Sequence, residues 1–88
     1  MEEKELLIKY LNNRGNRIIL FNLIQKLSMR VCWGYNPTLE QLSKQNTVQK
    51  IIRESCKDIE DKEGIKISRT VRKEIATNIG NYIYSSLN

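Results

Sequence analysis

Asn46-Thr47-Val48-Gln49-Lys50-Ile51-Ile52-Arg53-Glu54-Ser55-Cys56-Lys57-Asp58-Ile59 decides the fold of this chain. Val48, Ile51, Ile52, Cys56 and Ile59 stand at i, i+3, i+4, i+8 and i+11, with charged residues between them. One apolar stripe on a 3.6-residue period predicts an amphipathic helix, since a strand would alternate instead. Asn46 with Gln49 has the spacing of a capping box at its start. Gly64 predicts its end, because glycine readily takes the left-handed conformation that closes a helix.

The same signals recur outward from this segment. Thr38 with Gln41 forms a second capping box and predicts a short helix, Thr38–Lys44, with Leu39 and Leu42 inward. Trp33-Gly34-Tyr35-Asn36-Pro37 separates it from a longer helix, Arg17–Cys32. Asn16 is placed to cap that helix, after a turn in which Gly15 supplies a positive φ. Ile18, Ile19, Leu20, Phe21, Leu23, Ile24, Leu27 and Val31 cover more than half of its circumference, so it is expected at the centre of the bundle. Leu6, Leu7, Tyr10 and Leu11 mark a first helix over Glu2–Asn13. After Gly64, Ile65-Lys66-Ile67 connects to a last helix, Arg69–Ser86, capped by Ser68 or Thr70. Its inward residues are Val71, Ile75, Ile79, Tyr82 and Ile83, with Tyr84 outside. Gly80 within it costs about 1 kcal/mol against alanine, which predicts either a close approach or a frayed end. The expectation is one all-α domain over residues 1–88, a compact bundle of four longer helices and one short helix.

Composition agrees with this and narrows the chemistry. Apolar residues make up 40% of the 88, enough for a small core. Four glycines and one proline are too few for the turns of an all-β fold. With no histidine, Ser-His-Asp, Cys-His and HExxH sites are excluded, and no phosphate-loop motif occurs. The acids Asp58, Glu60, Asp61 and Glu63 do not make a calcium loop, since Glu63 stands where the turn glycine belongs and Arg69 where the bidentate glutamate belongs. A non-enzymatic role without metal or cofactor is expected. No apolar run approaches the ~20 residues of a membrane span. The acidic start Met1-Glu2-Glu3-Lys4-Glu5 is unlike a secretory leader. Cys32 and Cys56 lie at apolar positions with no CxxC spacing, reading as two reduced buried thiols or, alternatively, one disulfide. A cytoplasmic location follows as an expectation.

The net charge is +5, and it is concentrated. Arg14, Arg17, Lys26 and Arg30 lie in residues 14–37 with no acid, while Lys66, Arg69, Arg72 and Lys73 face only Glu74 in residues 64–88. Side by side, the two segments would make a positive face for phosphates, anionic lipid headgroups or an acidic protein; the competing reading is a solvated surface that keeps the chain soluble. Ser68-Arg69-Thr70-Val71-Arg72-Lys73 sets cations and hydroxyls at a helix N-terminus, where acids are normally preferred. Arg69, Arg72 and Lys73 at i, i+3 and i+4 share a side. Aligned with a helix-turn-helix, Gly64 can take the turn position, with Ile59 and Ile65 at apolar positions. Glu63, Thr70 and Lys73 then fall where apolar residues belong, so the motif is at best irregular. Trp33 and Tyr35 flank Gly34 and either seal the core or anchor a partner.

Gly64-Ile65-Lys66-Ile67-Ser68, followed by Glu74-Ile75 and Ile79, resembles the hinge and last helix of the immunity proteins of pediocin-like bacteriocins. Asn36-Pro37-Thr38-Leu39 is similar to a proline-containing turn in that family. The stretch between Pro37 and Ile65 is longer here by about two helical turns. The resemblance implies a cytosolic four-helix bundle that binds a protein.

Two functions are therefore carried forward. In the leading one, the chain is a small nucleic-acid-binding or regulatory protein of a low-GC bacterium, plasmid or phage, the source being suggested by its Ile-, Asn- and Lys-rich composition. Phosphates would be held by Lys66, Ser68, Arg69, Thr70, Arg72 and Lys73, with Arg14, Arg17 and Arg30 as a second arm. In the alternative, an immunity or inhibitor protein meets its partner through Trp33, Tyr35, Tyr82 and Tyr84. The thin margin of so small a core would favour a homodimer in either case.

Overall fold

A computed structural model, which describes residues 2–87, contains five helices and, among the described residues, no strand. They are α1 (Glu3–Leu11), α2 (Arg14–Cys32), α3 (Leu39–Ser43), α4 (Asn46–Glu63) and α5 (Arg69–Leu87). The all-α bundle of four longer helices and one short one is therefore the observed architecture. No described helix is long and apolar enough to cross a membrane.

The centre of the bundle is α4, not α2. Val48, Ile51, Ile52, Ser55, Cys56 and Ile59 of α4 are all buried, whereas α2 buries only Leu27. The reason lies in the two patterns. The apolar residues of α4 make one stripe, which neighbours can cover completely, and α1, α2 and α5 all pack against it. Those of α2 spread over more than half of its circumference, and the bundle reaches only one side. Ile18, Ile19, Phe21 and Met29 are left 42–61% exposed. Cys32 is exposed as well, against the expectation that both thiols are buried; both cysteines are free. Trp33, at 78% exposure, does not seal the core. Tyr82 is also at the surface rather than inside, since the position it occupies on α5 faces the rim of α2.

The caps explain where the helices begin. α2 starts at Arg14, not Arg17, because Asn13 rather than Asn16 caps it: the Asn16 backbone N–H donates to Asn13 Oδ1 at 2.8 Å. Gly15 therefore lies inside the helix, and the positive φ values belong to Gly34 and Gly64. At α3 the expected box is complete, Gln41 N–H donating to Thr38 Oγ1 and Thr38 N–H to Gln41 Oε1. Leu42 is buried there, while Leu39 is exposed. The second box does not form. Asn46 is already helical, and Gln49 instead donates to the Ser43 carbonyl, tying α4 back to the end of α3. Gly64 closes α4 in the left-handed conformation as expected.

Residues 64–68 then run back along α1, with Ile67 buried. Tyr10 at one end of α1 donates to Glu63, and Lys4 at the other pairs with Glu74 of α5 at 2.7 Å. The link from α4 to α5 is thus a five-residue strap, longer than the three- or four-residue turn of a helix-turn-helix. α3 lies close on α5. Gly80 permits this, for a Cβ there would collide with Ser43 Oγ and come within 3.1 Å of the Ser43 backbone nitrogen.

Candidate nucleic-acid interface

α5 is started by two partners. Ser68, not Thr70, is the side-chain cap, its Oγ accepting from the Val71 N–H at 3.3 Å. The Ser68 N–H itself donates to the Glu3 carboxylate of α1 at 3.2 Å. The acid absent from the first turn of α5 is thus supplied from the other end of the chain. The helix terminus alone does not call for an external anion.

The cations beside it do gather. α3, the strap and the first half of α5 enclose a cleft of about 1100 Å³. Lys66, Ser68, Arg69, Arg72 and Lys73 line it, so five of the residues named from the sequence converge there. Thr70 is exposed and is not among the lining residues. Lys44, the residue that ends α3, joins from the opposite wall, and the sequence alone does not single it out. Its only signal is an i, i+4 spacing from Glu40, to which it is bonded at 2.8 Å. That hydrogen bond holds the Glu40 carboxyl below its ordinary range. Among the described residues, five cations and one carboxylate thus line the cleft. Leu39, Ile67 and Ala76 give it apolar wall, and among the described residues no aromatic side chain lines it.

Arg72 is the most constrained of these groups. It is half-buried, and its Nε is shielded from solvent without a hydrogen-bond partner among the described residues. Its guanidinium lies near Cys56. Burial pushes the Cys56 thiol above its ordinary value of 9.0, and the neighbouring Arg72 charge only partly opposes this. A buried protonated thiol is a poor nucleophile, whereas Cys32 is open to solvent. A thiol reagent such as Ellman's is accordingly expected to modify one cysteine per folded chain quickly, and the second only on unfolding. The linkage has a sign as well. With the folded pKa raised, the contribution of Cys56 to stability is complete below the unfolded value and is lost as pH rises through the folded one.

The second arm is not part of this cleft. Arg14 and Arg17 border a different groove, about 570 Å³, with Ile18, Phe21, Ile24 and Tyr82. Arg17 is occupied within it, donating from Nε and Nη2 to Asn12 Oδ1 at 3.0 and 2.6 Å. Tyr82 follows Lys73 by nine residues. At 100° per residue the two therefore stand about 180° apart around α5. The positive segments consequently occupy opposite sides of the last helix. Arg30 is exposed at the far end of α2, where its charge complements the helix dipole. Of the residues considered for protein binding, Trp33, Tyr82 and Tyr84 are exposed, while Tyr35 packs against the core. Trp33 and Tyr82 do not touch each other, because they flank opposite ends of α2.

No protein-family model matches this chain, and no curated protein and no solved structure matches it either.

Proposed function

We propose that this chain is a small non-enzymatic protein that holds a nucleic-acid backbone in the cleft between α3 and the first half of α5. The observation that carries the reading is the convergence of Lys44, Lys66, Arg69, Arg72 and Lys73 on one concave surface against a single carboxylate. Cations clustered in a cleft act together on phosphates, and releasing condensed counterions supplies the affinity. The lack of an aromatic lining argues against a base-stacking platform for single strands. Duplex contact through phosphates, with little sequence preference, fits the site better. Such a protein would serve as a regulator or a packaging factor.

The test is fluorescence anisotropy with a random-sequence duplex over a series of salt concentrations. Micromolar binding is expected near ~50 mM salt, falling steeply as salt rises. Arg69→Glu with Lys73→Glu should abolish it, and each single cation removed should lower the salt slope by about one. Arg14→Glu with Arg17→Glu should change little, since those residues lie on the other side of α5. No binding at the lowest salt would refute the reading.

A second reading is supported by Trp33 and Tyr82, 78% and 60% exposed. Large exposed aromatics are the usual anchors of protein interfaces. In this reading the chain binds an acidic protein as an immunity or inhibitor protein, in keeping with the resemblance of its strap and last helix to that family. Charge reversal at Arg69 and Arg72 would then matter less than removal of α5 beyond Gly80.

A further inference from the structure

The outer face of α2 carries a second apolar stripe that the bundle leaves uncovered. Ile18, Phe21, Gln25, Met29 and Cys32 are all exposed on the side away from Leu27. Their spacings along the chain are three, four, four and three, which read the same in both directions about Gln25. We propose that this stripe is the contact between two copies of the chain, paired antiparallel through α2 about a two-fold axis at Gln25.

The palindromic spacing is what such an axis requires. In a two-fold interface each patch must be its own complement, and antiparallel helices reverse the order of residues. With Gln25 opposite its own copy, Phe21 meets the partner's Met29, and Ile18 meets the partner's Cys32. A thioether beside an aromatic ring and an aliphatic group beside a thiol are both favourable contacts. The one polar residue in the seam, Gln25, falls on the axis, where two amides can bond to each other and fix the register.

Charge and area point the same way. Residues 14–37 hold four cations and no acid. A parallel pair would set each of them beside its own copy. The antiparallel pair brings Arg14 and Arg17 to the end of the partner's α2 and Arg30 level with the partner's Leu20. Only Lys26 stays near its own copy, and it points to the flank of the seam. Aromatic side chains bury ~150–250 Å² each, so with Ile18 and Met29 the exposed parts of Phe21, Trp33 and Tyr82 offer on the order of 600 Å² per copy. A standard interface takes about 800 Å² from each partner, so this face stands at the low end of the range, where association is weak and reversible. The cation cleft lies on the opposite side of α5 from Tyr82 and stays open, so this inference does not rest on the nucleic-acid reading.

Sedimentation equilibrium from about 1 to 200 µM should show a monomer–dimer equilibrium with a micromolar constant. Phe21→Glu, at an exposed site and with circular dichroism as the control for folding, should shift that equilibrium at least ~10-fold toward monomer. Orientation is read by cross-linking with oxidised glutathione as the electron acceptor. Ile18→Cys should join to the partner's Cys32 and give disulfide-linked dimers on a non-reducing gel. The same variant with Cys32→Ser should not, because its two new thiols lie far apart. A chain that remains monomeric throughout overturns the proposal, as does a natural chain that cross-links through Cys32 alone, which would mean a parallel pair. A monomer that binds vesicles of anionic phospholipid through Phe21 and Trp33 would overturn it too, assigning the face to a lipid surface.

Discussion

Gly80→Val is expected to destabilise the chain by about 3 kcal/mol or more, a large part of what a domain of this size holds. Even a single added carbon at Gly80 has no room. It would overlap Ser43 Oγ and press on the Ser43 backbone nitrogen and Cα at 3.1 and 3.2 Å. The hydroxyl cannot simply swing aside without losing its bond to the Leu39 carbonyl at 2.9 Å. The backbone atoms cannot yield unless α3 moves off α5. Alanine tests the point more finely. On helix propensity alone, Gly80→Ala should stabilise by about 1 kcal/mol. The contact with α3 reverses the sign, and a net loss of about 1–2 kcal/mol is expected in urea unfolding. Ser43→Ala in the same chain removes the oxygen but not the backbone contacts, so it should recover part of the loss. The resulting double-mutant cycle should show coupling of roughly 0.5–1.5 kcal/mol. A Gly80→Ala chain more stable than the natural one would mean that α3 does not press on α5. Because α3 also supplies Lys44, Gly80→Val should weaken duplex binding along with stability.

The second large effect separates α4 from α2. Ile59→Ala and Ile52→Ala should each cost about 2–5 kcal/mol, since both side chains are enclosed and their removal leaves cavities. Ile18→Ala and Phe21→Ala should cost no more than about 0.5 kcal/mol in dilute solution, where α2 faces water. A bundle packed around α2 would show the reverse order. Chemical unfolding of the four variants at low protein concentration decides between them. Were Phe21→Ala as costly as Ile59→Ala, the outer face of α2 would have to be covered within a single chain.

Much of the candidate site is legible in the sequence alone. Arg69, Arg72 and Lys73 at i, i+3 and i+4 can hardly fail to share a side once the segment is helical, and they line one cleft. Lys66 and Ser68 follow because the strap delivers them to the same place. Lys44 is not legible as part of the site, nor is Glu3. Lys44 reaches the cleft only because Gly80 lets α3 lie on α5, and Glu3 reaches Ser68 across a separation of 65 residues. The expected second arm fails for a complementary reason. Sequence shows that Arg14 and Arg17 are unbalanced by acids, but not which side of α5 they will occupy.

By itself the sequence determined the helices and part of their punctuation: the Thr38–Gln41 box and Gly64 act as their spacing predicts, whereas Asn16 is not the cap of α2 and the Asn46–Gln49 box does not form. Period, caps and the glycine at the end of α4 are local matters, set by which groups lie within one turn of each other. It determined α4's buried stripe as well, because a single narrow stripe has one way to be satisfied. Only the tertiary structure decided which helix stands at the centre and which face of α2 is left to solvent. A helix that is apolar over more than half of its circumference can be buried at the core or shared between the bundle and something outside it, and local chemistry is the same in both. The other four helices do not have enough surface to enclose α2 once the stripe of α4 is covered.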